Sequence, residues 1–290
     1  MLEIRNLRKR FGDKVALDDV SLTVEPGRMF GFVGANGAGK TTTMRIAMGV
    51  LTSDAGEVLW QGTPLAFESR ASFGYMPEER GLYPKMRIAD QIAYFGELHG
   101  MTSAAAKTAT GEWLERLGLA DRGRDFVQDL SLGNQQRVQL AVSLVFDPKV
   151  LILDEPFSGL DPLAVDTMAS VLSERSAAGV PVIFSSHQLD LVERLCDTVG
   201  IISAGHMVAV GTVDELRRRG NRRLRVTIEG ANPNWADSLP CQVSSDVEGE
   251  WVVDSDDDQT VLAAAMAAGR VTRFGFDEPS LVDIFREASS

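Results

Sequence analysis

The run Gly34-Ala35-Asn36-Gly37-Ala38-Gly39-Lys40-Thr41 has the residue types needed to hold phosphate, at the spacing GxxxxGK[ST]. Its glycines let consecutive backbone N–H groups turn toward phosphate oxygens, and a following helix adds the partial positive charge of its N-terminus. Lys40 would reach the β- and γ-phosphates, the Thr41 hydroxyl would ligate Mg²⁺, and Asn36, Gly37, Ala38, Gly39 and Thr42 would complete the cradle. The flanks suit such a loop. Met29 to Val33 is a continuous apolar strand entering it, and Thr42 to Val50 has the small and apolar residues of a short buried helix.

A phosphate loop of this kind needs a carboxylate on a neighbouring strand. Val150-Leu151-Ile152-Leu153-Asp154-Glu155 ends four apolar residues in two acids. That is the edge at which open α/β sheets bind ligands. Asp154 is placed to hold Mg²⁺, directly or through water, and Glu155 to orient or deprotonate an attacking water. A second apolar run, Val180 to Phe184, ends in Ser185-Ser186-His187.

The elements that must position these residues alternate. Leu2 to Leu7 and Val20 to Val24 read as short strands, Arg87 to Leu119 as helical, and Gln135 to Phe146 as a helix capped by Ser131. Strands alternating with helices predict an α/β sheet. Composition shifts near residue 212. The segment Glu215 to Arg219 ends a helix at Gly220, and short strands follow at Arg223 to Ile228, Trp251 to Val253 and Val271 to Phe274. Helices are expected at Val261 to Ala268 and from Pro279 to Ala288. The chain therefore divides into residues 1–212 and a smaller α+β domain, 213–290. The acidic run Asp254 to Asp258 lacks the spacing and glycine of a calcium loop and reads as a solvated turn.

In a chain of 290 residues with net charge −12, the acidic balance gives no bulk attraction for nucleic acid or for an anionic lipid surface. No apolar run approaches the ~20 residues that span a bilayer, and the N-terminus has no apolar leader core. The two cysteines, Cys196 and Cys241, are isolated, so neither a disulfide framework nor a metal cluster is indicated. These features together imply a reducing cytoplasmic compartment, with any membrane attachment supplied by other chains.

The first 212 or so residues resemble the ATP-binding subunit of ABC transporters. The resemblance rests on several motifs in order. Leu130-Ser131-Leu132-Gly133-Asn134 resembles the family's LSGGQ signature, with Ser131 and Gly133 kept and Leu132 and Asn134 departing from it. Ser158-Gly159-Leu160-Asp161 resembles the D-loop, His187 the switch histidine, and Phe11 the aromatic that stacks on adenine, unless Phe11 is a core residue. Glu78, in Gly74-Tyr75-Met76-Pro77-Glu78, stands where most members carry a glutamine that touches the metal or its water. It is either a metal ligand or a solvated loop carboxylate.

The resemblance implies a mixed sheet with helices, a helical subdomain at about 84–146, ATP and Mg²⁺ as ligands, and hydrolysis by Glu155, His187 and Lys40. It implies a head-to-tail pair of ATPase subunits, in which Ser131, Gly133, Asn134 and Asp161 of one chain address the partner's ATP. It also implies polytopic transmembrane permease subunits that hold the pair at the cytoplasmic face of the membrane, with Tyr83 and Met86 as candidate docking residues or as local packing. The C-terminal segment resembles that of bacterial exporter ATPases of drug and sodium type. ABC machines that act on chromosomes insert long coiled coils between the two ATP motifs, and the 114 residues from Lys40 to Asp154 leave no room for them. Translation-type members carry two ATPase halves, and this chain has one phosphate loop.

Overall fold

Four short apolar runs decide the architecture. Met29–Val33, Val150–Leu153, Val182–Ser186 and Phe73–Met76 are almost wholly buried and lie side by side in parallel. Strands without polar alternation need cover on both faces, and a parallel sheet between helices supplies it. In a computed structural model, residues 1–79, 81–219, 223–231, 234–237, 239–247, 249–255, 257–277 and 280–289 are described. The expected helix stop at Gly220, Asp256 of the acidic run, and Glu278 and Pro279 ahead of the last helix lie outside them.

In chain order the elements are β1 (Leu2–Phe11), β2 (Lys14–Val24), β3 (Met29–Val33), α1 (Lys40–Ala47), β4 (Ala55–Trp60), β5 (Thr63–Pro64), α2 (Phe67–Arg70) and β6 (Phe73–Met76). Then come α3 (Ile88–Leu98), α4 (Ser103–Arg116), α5 (Leu132–Leu144), β7 (Val150–Leu153), α6 (Pro162–Ala177), β8 (Val182–Ser186), α7 (Leu189–Leu195), β9 (Thr198–Ser203) and β10 (His206–Thr212). The remainder is α8 (Val213–Arg219), β11 (Arg223–Glu229), β12 (Gln242–Val247), β13 (Glu250–Asp254), α9 (Asp258–Ala268), β14 (Arg270–Asp277) and α10 (Leu281–Ser289).

The chain forms two compact units, Met1–Val213 and Asp214–Ala288. The first has a sheet of order β10-β9-β3-β8-β7-β6, parallel except for β10, and an antiparallel sheet of order β2-β1-β4-β5. Helix α1 joins them. Met44 and Ile46 share one cluster with Leu2, Ile4, Leu7 and Leu22 of the antiparallel sheet and with Phe30 and Phe32 of β3. Helices α3, α4 and α5 pack on one another. Burying each large apolar side chain stabilises by roughly 1.5–3 kcal/mol, so the helix behind the phosphate loop is firmly held.

The second unit is an antiparallel sheet of order β12-β13-β11-β14 with its own cluster of Leu224, Val226, Ile228, Val253, Val261 and Ala265. Trp235 and Trp251 meet edge to face in it, with centroids 5.7 Å apart. Asp257 caps α9 by accepting from Thr260 N at 3.1 Å. The acidic run thus ends in a helix cap, as the side-chain chemistry of aspartate favours.

Several expectations are corrected. The helical stretch Arg87 to Leu119 is two helices, broken where Gly100 takes φ 90° and Thr102 caps α4. The helix expected at Thr42 to Val50 runs from Lys40 to Ala47, because Gly49 takes φ 72°. The helix expected at Gln135 begins at Leu132, directly after the cap. Strand β8 begins at Val182 rather than Val180. Strands β4, β5, β6, β9, β10 and β12 were not expected.

Candidate functional site

The parallel sheet brings the chemistry to one edge. Read across β3, β8, β7 and β6, the segments leaving the C-terminal strand ends carry the phosphate loop, Ser185 to His187, Asp154-Glu155, and Glu78. Residues more than a hundred positions apart in sequence become neighbours because their strands are neighbours. A cavity of about 370 Å³ opens here, lined by Phe11, Lys14, Ala16, Asn36, Gly37, Gly39, Lys40, Thr41, Thr42, Glu78, Asp154 and Glu155.

The loop bends through left-handed backbone at Gly37 (φ 80°) and Gly39 (φ 118°), which only glycine adopts without strain. A Cβ on Gly39 would lie 2.6 Å from Leu17 Cδ2 and 2.9 Å from Ala16 O, so a side chain there would collide with β2. No side chain caps α1, which leaves its first-turn N–H groups available to an anion. Lys40 is 6% exposed, and its Nζ donates to Gly34 O at 2.7 Å. Ala38 is buried behind the loop and does not line the cavity.

Asp154 is fully buried, and Glu155 is 8% exposed. Ser185 Oγ ties them together. It donates to Asp154 Oδ1 at 2.6 Å and accepts from Glu155 N at 2.8 Å. Glu155 Oε2 lies 2.9 Å from His187 Nδ1, and Oε1 lies 3.8 Å from Lys40 Nζ. Glu155 also has φ 51°, a left-handed backbone that costs free energy for a residue with a Cβ. Its carbonyl accepts from Gln136 Nε2 at 3.1 Å. Glu155 is thus held at its backbone N–H, its carbonyl and Oε2, while Oε1 is buried without a hydrogen-bond partner.

Asp154 Oδ2 is buried and has no hydrogen-bond partner. An orphaned carboxylate oxygen at the cavity wall, with the Thr41 hydroxyl and Glu78 on the same cavity, fits a hard cation with oxygen ligands. Among the described residues, no group of three or more His, Cys, Asp or Glu side chains could hold a metal alone. A cation here would therefore draw further ligands from phosphate and water. Beside it, burial pushes the Tyr75 phenol above its ordinary value, Asp154 adds to that shift, and Arg45 opposes it.

The predicted residues of the Leu130 to Asn134 and Ser158 to Asp161 segments do not line this cavity, whereas Phe11 does. Ser131 caps α5, accepting from Asn134 N at 3.3 Å. A Cβ on Gly133 would lie 3.3 Å from Leu160 Cδ2, so the segments Leu130 to Asn134 and Ser158 to Asp161 abut. Asp161 is exposed and caps α6, accepting from Ala164 N at 2.8 Å. Leu132 is 57% exposed. Phe11, half exposed, has Lys9 Nζ 5.6 Å from its ring centre. Sequence reasoning missed Lys14, Ala16 and Ser185. Lys14 had a signal in its place three residues after Phe11. Ser185 had one in being a small polar residue ending a buried strand.

A phosphate loop and two acidic strand ends on one parallel sheet define a P-loop ATPase. Residues 17–158 match the family model described as ABC transporter, and residues 211–289 match "ATP-binding protein DrrA1-3-like, C-terminal domain". The chain is 38% identical to the "Uncharacterized ABC transporter ATP-binding protein YhaQ" of Bacillus subtilis (strain 168), over 99% of this chain and 98% of that one. It therefore belongs to the ABC transporter ATP-binding proteins, a family that binds and hydrolyses ATP. It is also 33% identical to the "Linearmycin resistance ATP-binding protein LnrL" of the same organism, over 80% of this chain and 76% of that one. A solved "Structure of ATP binding subunit of ABC transporter" superposes with a TM-score of 0.70 at 31% identity, covering 76% of this chain and 92% of that chain. No described helix is long and apolar enough to cross a membrane.

Proposed function

We propose that this chain powers an exporter of drugs or other small molecules, working as a homodimer on separate polytopic membrane subunits at the cytoplasmic face of the membrane. The observation that carries the ATPase part is the meeting of Lys40, Asp154, Glu155 and His187 at adjacent strand ends. Export is supported by the match of residues 211–289 and by the relative named for linearmycin resistance.

In this reading the adenine stacks on Phe11. The amides of Asn36 to Thr42, together with Lys40, hold the phosphates. Thr41, Asp154 and Glu78 would hold Mg²⁺, which would supply neutralisation of phosphate charge. Lys40 leaves Gly34 O and Glu155 for the phosphate. Glu155 then orients the attacking water and accepts its proton, while His187 fixes the carboxylate through Oε2. Ser131, Gly133, Asn134 and Asp161 face the ATP of the second subunit, where α5 presents another helix N-terminus to phosphate.

Affinity purification of the tagged chain from its own membranes tests this. A polytopic membrane protein should co-purify, and a strain lacking the chain should accumulate a fluorescent drug. Wild type should restore efflux and Lys40→Ala should not. Purification without any membrane protein would sink the transporter reading, and efflux restored equally by Lys40→Ala would sink the ATP-driven step.

A further inference from the structure

Helix α5 is more than the carrier of Ser131. Two buried glutamines three residues apart, Gln136 and Gln139, share one of its faces and are 4% and 3% exposed. Both reach backbone rather than side chains. Gln136 Nε2 donates at 3.1 Å to Glu155 O and at 3.1 Å to Pro156 O. Gln139 Nε2 donates at 2.6 Å to Pro77 O, the residue before Glu78. One helix face thus grips both acidic segments of the cavity. The grip is close. A Cβ on Gly74 of β6 would lie only 2.3 Å from Ser143 O, so α5 sits directly against the strand that leads to Glu78.

These amides are poor core fillers. Gln139 Oε1 is buried with no hydrogen-bond partner, which costs stability that an apolar side chain of the same length would not. Gln136 spends its amide hydrogens on the carbonyls of the two residues that begin the turn after β7, one of which holds a left-handed backbone.

We propose that Gln136 and Gln139 are positioning residues that fix the Glu155 and Glu78 backbones to α5. The separation of the water-side and metal-side carboxylates is then set by one rigid element. A tilt of α5 applied at Ser131 moves both together, which joins this chain's hydrolysis site to whatever its signature end touches. The inference rests on the roles given above to Glu155 and Glu78.

Full-length Gln136→Met, Gln139→Met and Gln139→Glu test it. The methionines keep length and helix propensity, and the glutamate keeps shape without a donor. Gln136→Met should exchange the Glu155 and Ser158 amides about tenfold faster in hydrogen–deuterium exchange, and should lower kcat about tenfold at unchanged KM. Both Gln139 variants should keep ATP affinity in EDTA yet lose about fivefold of the affinity gained on adding Mg²⁺, as measured by calorimetry. In a Glu78→Ala background, Gln139→Met should add no further loss. Wild-type exchange and kcat in Gln136→Met would overturn the Glu155 half. A full Mg²⁺ gain in the Gln139 variants, with Glu78→Ala impaired, would overturn the Glu78 half. No effect of Glu78→Ala itself would instead remove Glu78 from metal binding, and that half would fall with it.

Discussion

Glu155 combines three features that seldom occur together. It is a buried carboxylate, it has a left-handed backbone, and its N–H and carbonyl are both bonded by side chains. Each strained torsion of this kind costs on the order of 1–3 kcal/mol, so the surrounding bonds must over-determine it. Glu155→Gln preserves shape and removes the base. It should bind ATP with wild-type affinity and turn over at least about tenfold more slowly, as measured by equilibrium binding and phosphate release. Unchanged turnover would exclude Glu155 from water activation. Glu78 differs in being exposed. Glu78→Gln should retain turnover, because an amide oxygen can also ligate a hard cation. Lost ATP binding in that variant would assign Glu78 a role beyond the metal. At this scale the sequence was informative where chemistry is encoded in a contiguous run. Lys40, Thr41, Asp154 and Glu155 follow from spacing alone. Ser185 and Gln136 do not, because their partners are set by how β7, β8 and α5 align.

Between elements, the site depends on close approaches that glycine permits. Gly74 lets α5 lie against β6, and Gly31 lets α7 lie against β3, where a Cβ would meet Val192 Cγ1 at 2.4 Å. Gly74→Ala puts a methyl group against backbone that cannot rotate away. It should destabilise by about 1–3 kcal/mol in urea unfolding and lower turnover as well, since α5 would be pushed off the Glu78 segment. A stable, fully active variant would show that the interface relaxes freely. Apolar periodicity marked Arg87 to Leu119 as helical without dividing it, and the Ser131 cap marked α5. Gly100 and the Thr102 cap divide them, and a glycine inside a periodic stretch reads equally as tolerated or as terminating. Strand β10 was illegible for a related reason. It is an edge strand whose residues alternate between half-buried and exposed, so its apolar run Met207 to Val210 is not a buried one and carries no alternation of apolar with polar residues.

For the molecule as a whole, the sequence placed the composition shift at residue 212, and the two compact units part between Val213 and Asp214. Their apolar clusters have no residue in common. One titration reports on the first unit. Cys196 is 9% exposed beneath β3, and burial together with Asp197 holds its thiol well above the ordinary 9.0. Above that pH the unfolded chain releases a proton that the folded chain keeps, so stability falls as pH rises, by up to about 1.4 kcal/mol per unit for this group. Cys196→Ala should reduce the loss of urea stability between pH 8 and pH 10. An identical loss in both proteins would mean the thiol is not buried as described.

The edge-to-face indoles of Trp235 and Trp251 have an optical consequence. Two chromophores 5.7 Å apart share excitation, whereas Trp60 and Trp113 belong to the first unit. The second unit should therefore carry its own exciton signature in circular dichroism. Its melting could be followed by that signal in the intact chain, with the ATPase unit left spectroscopically in the background.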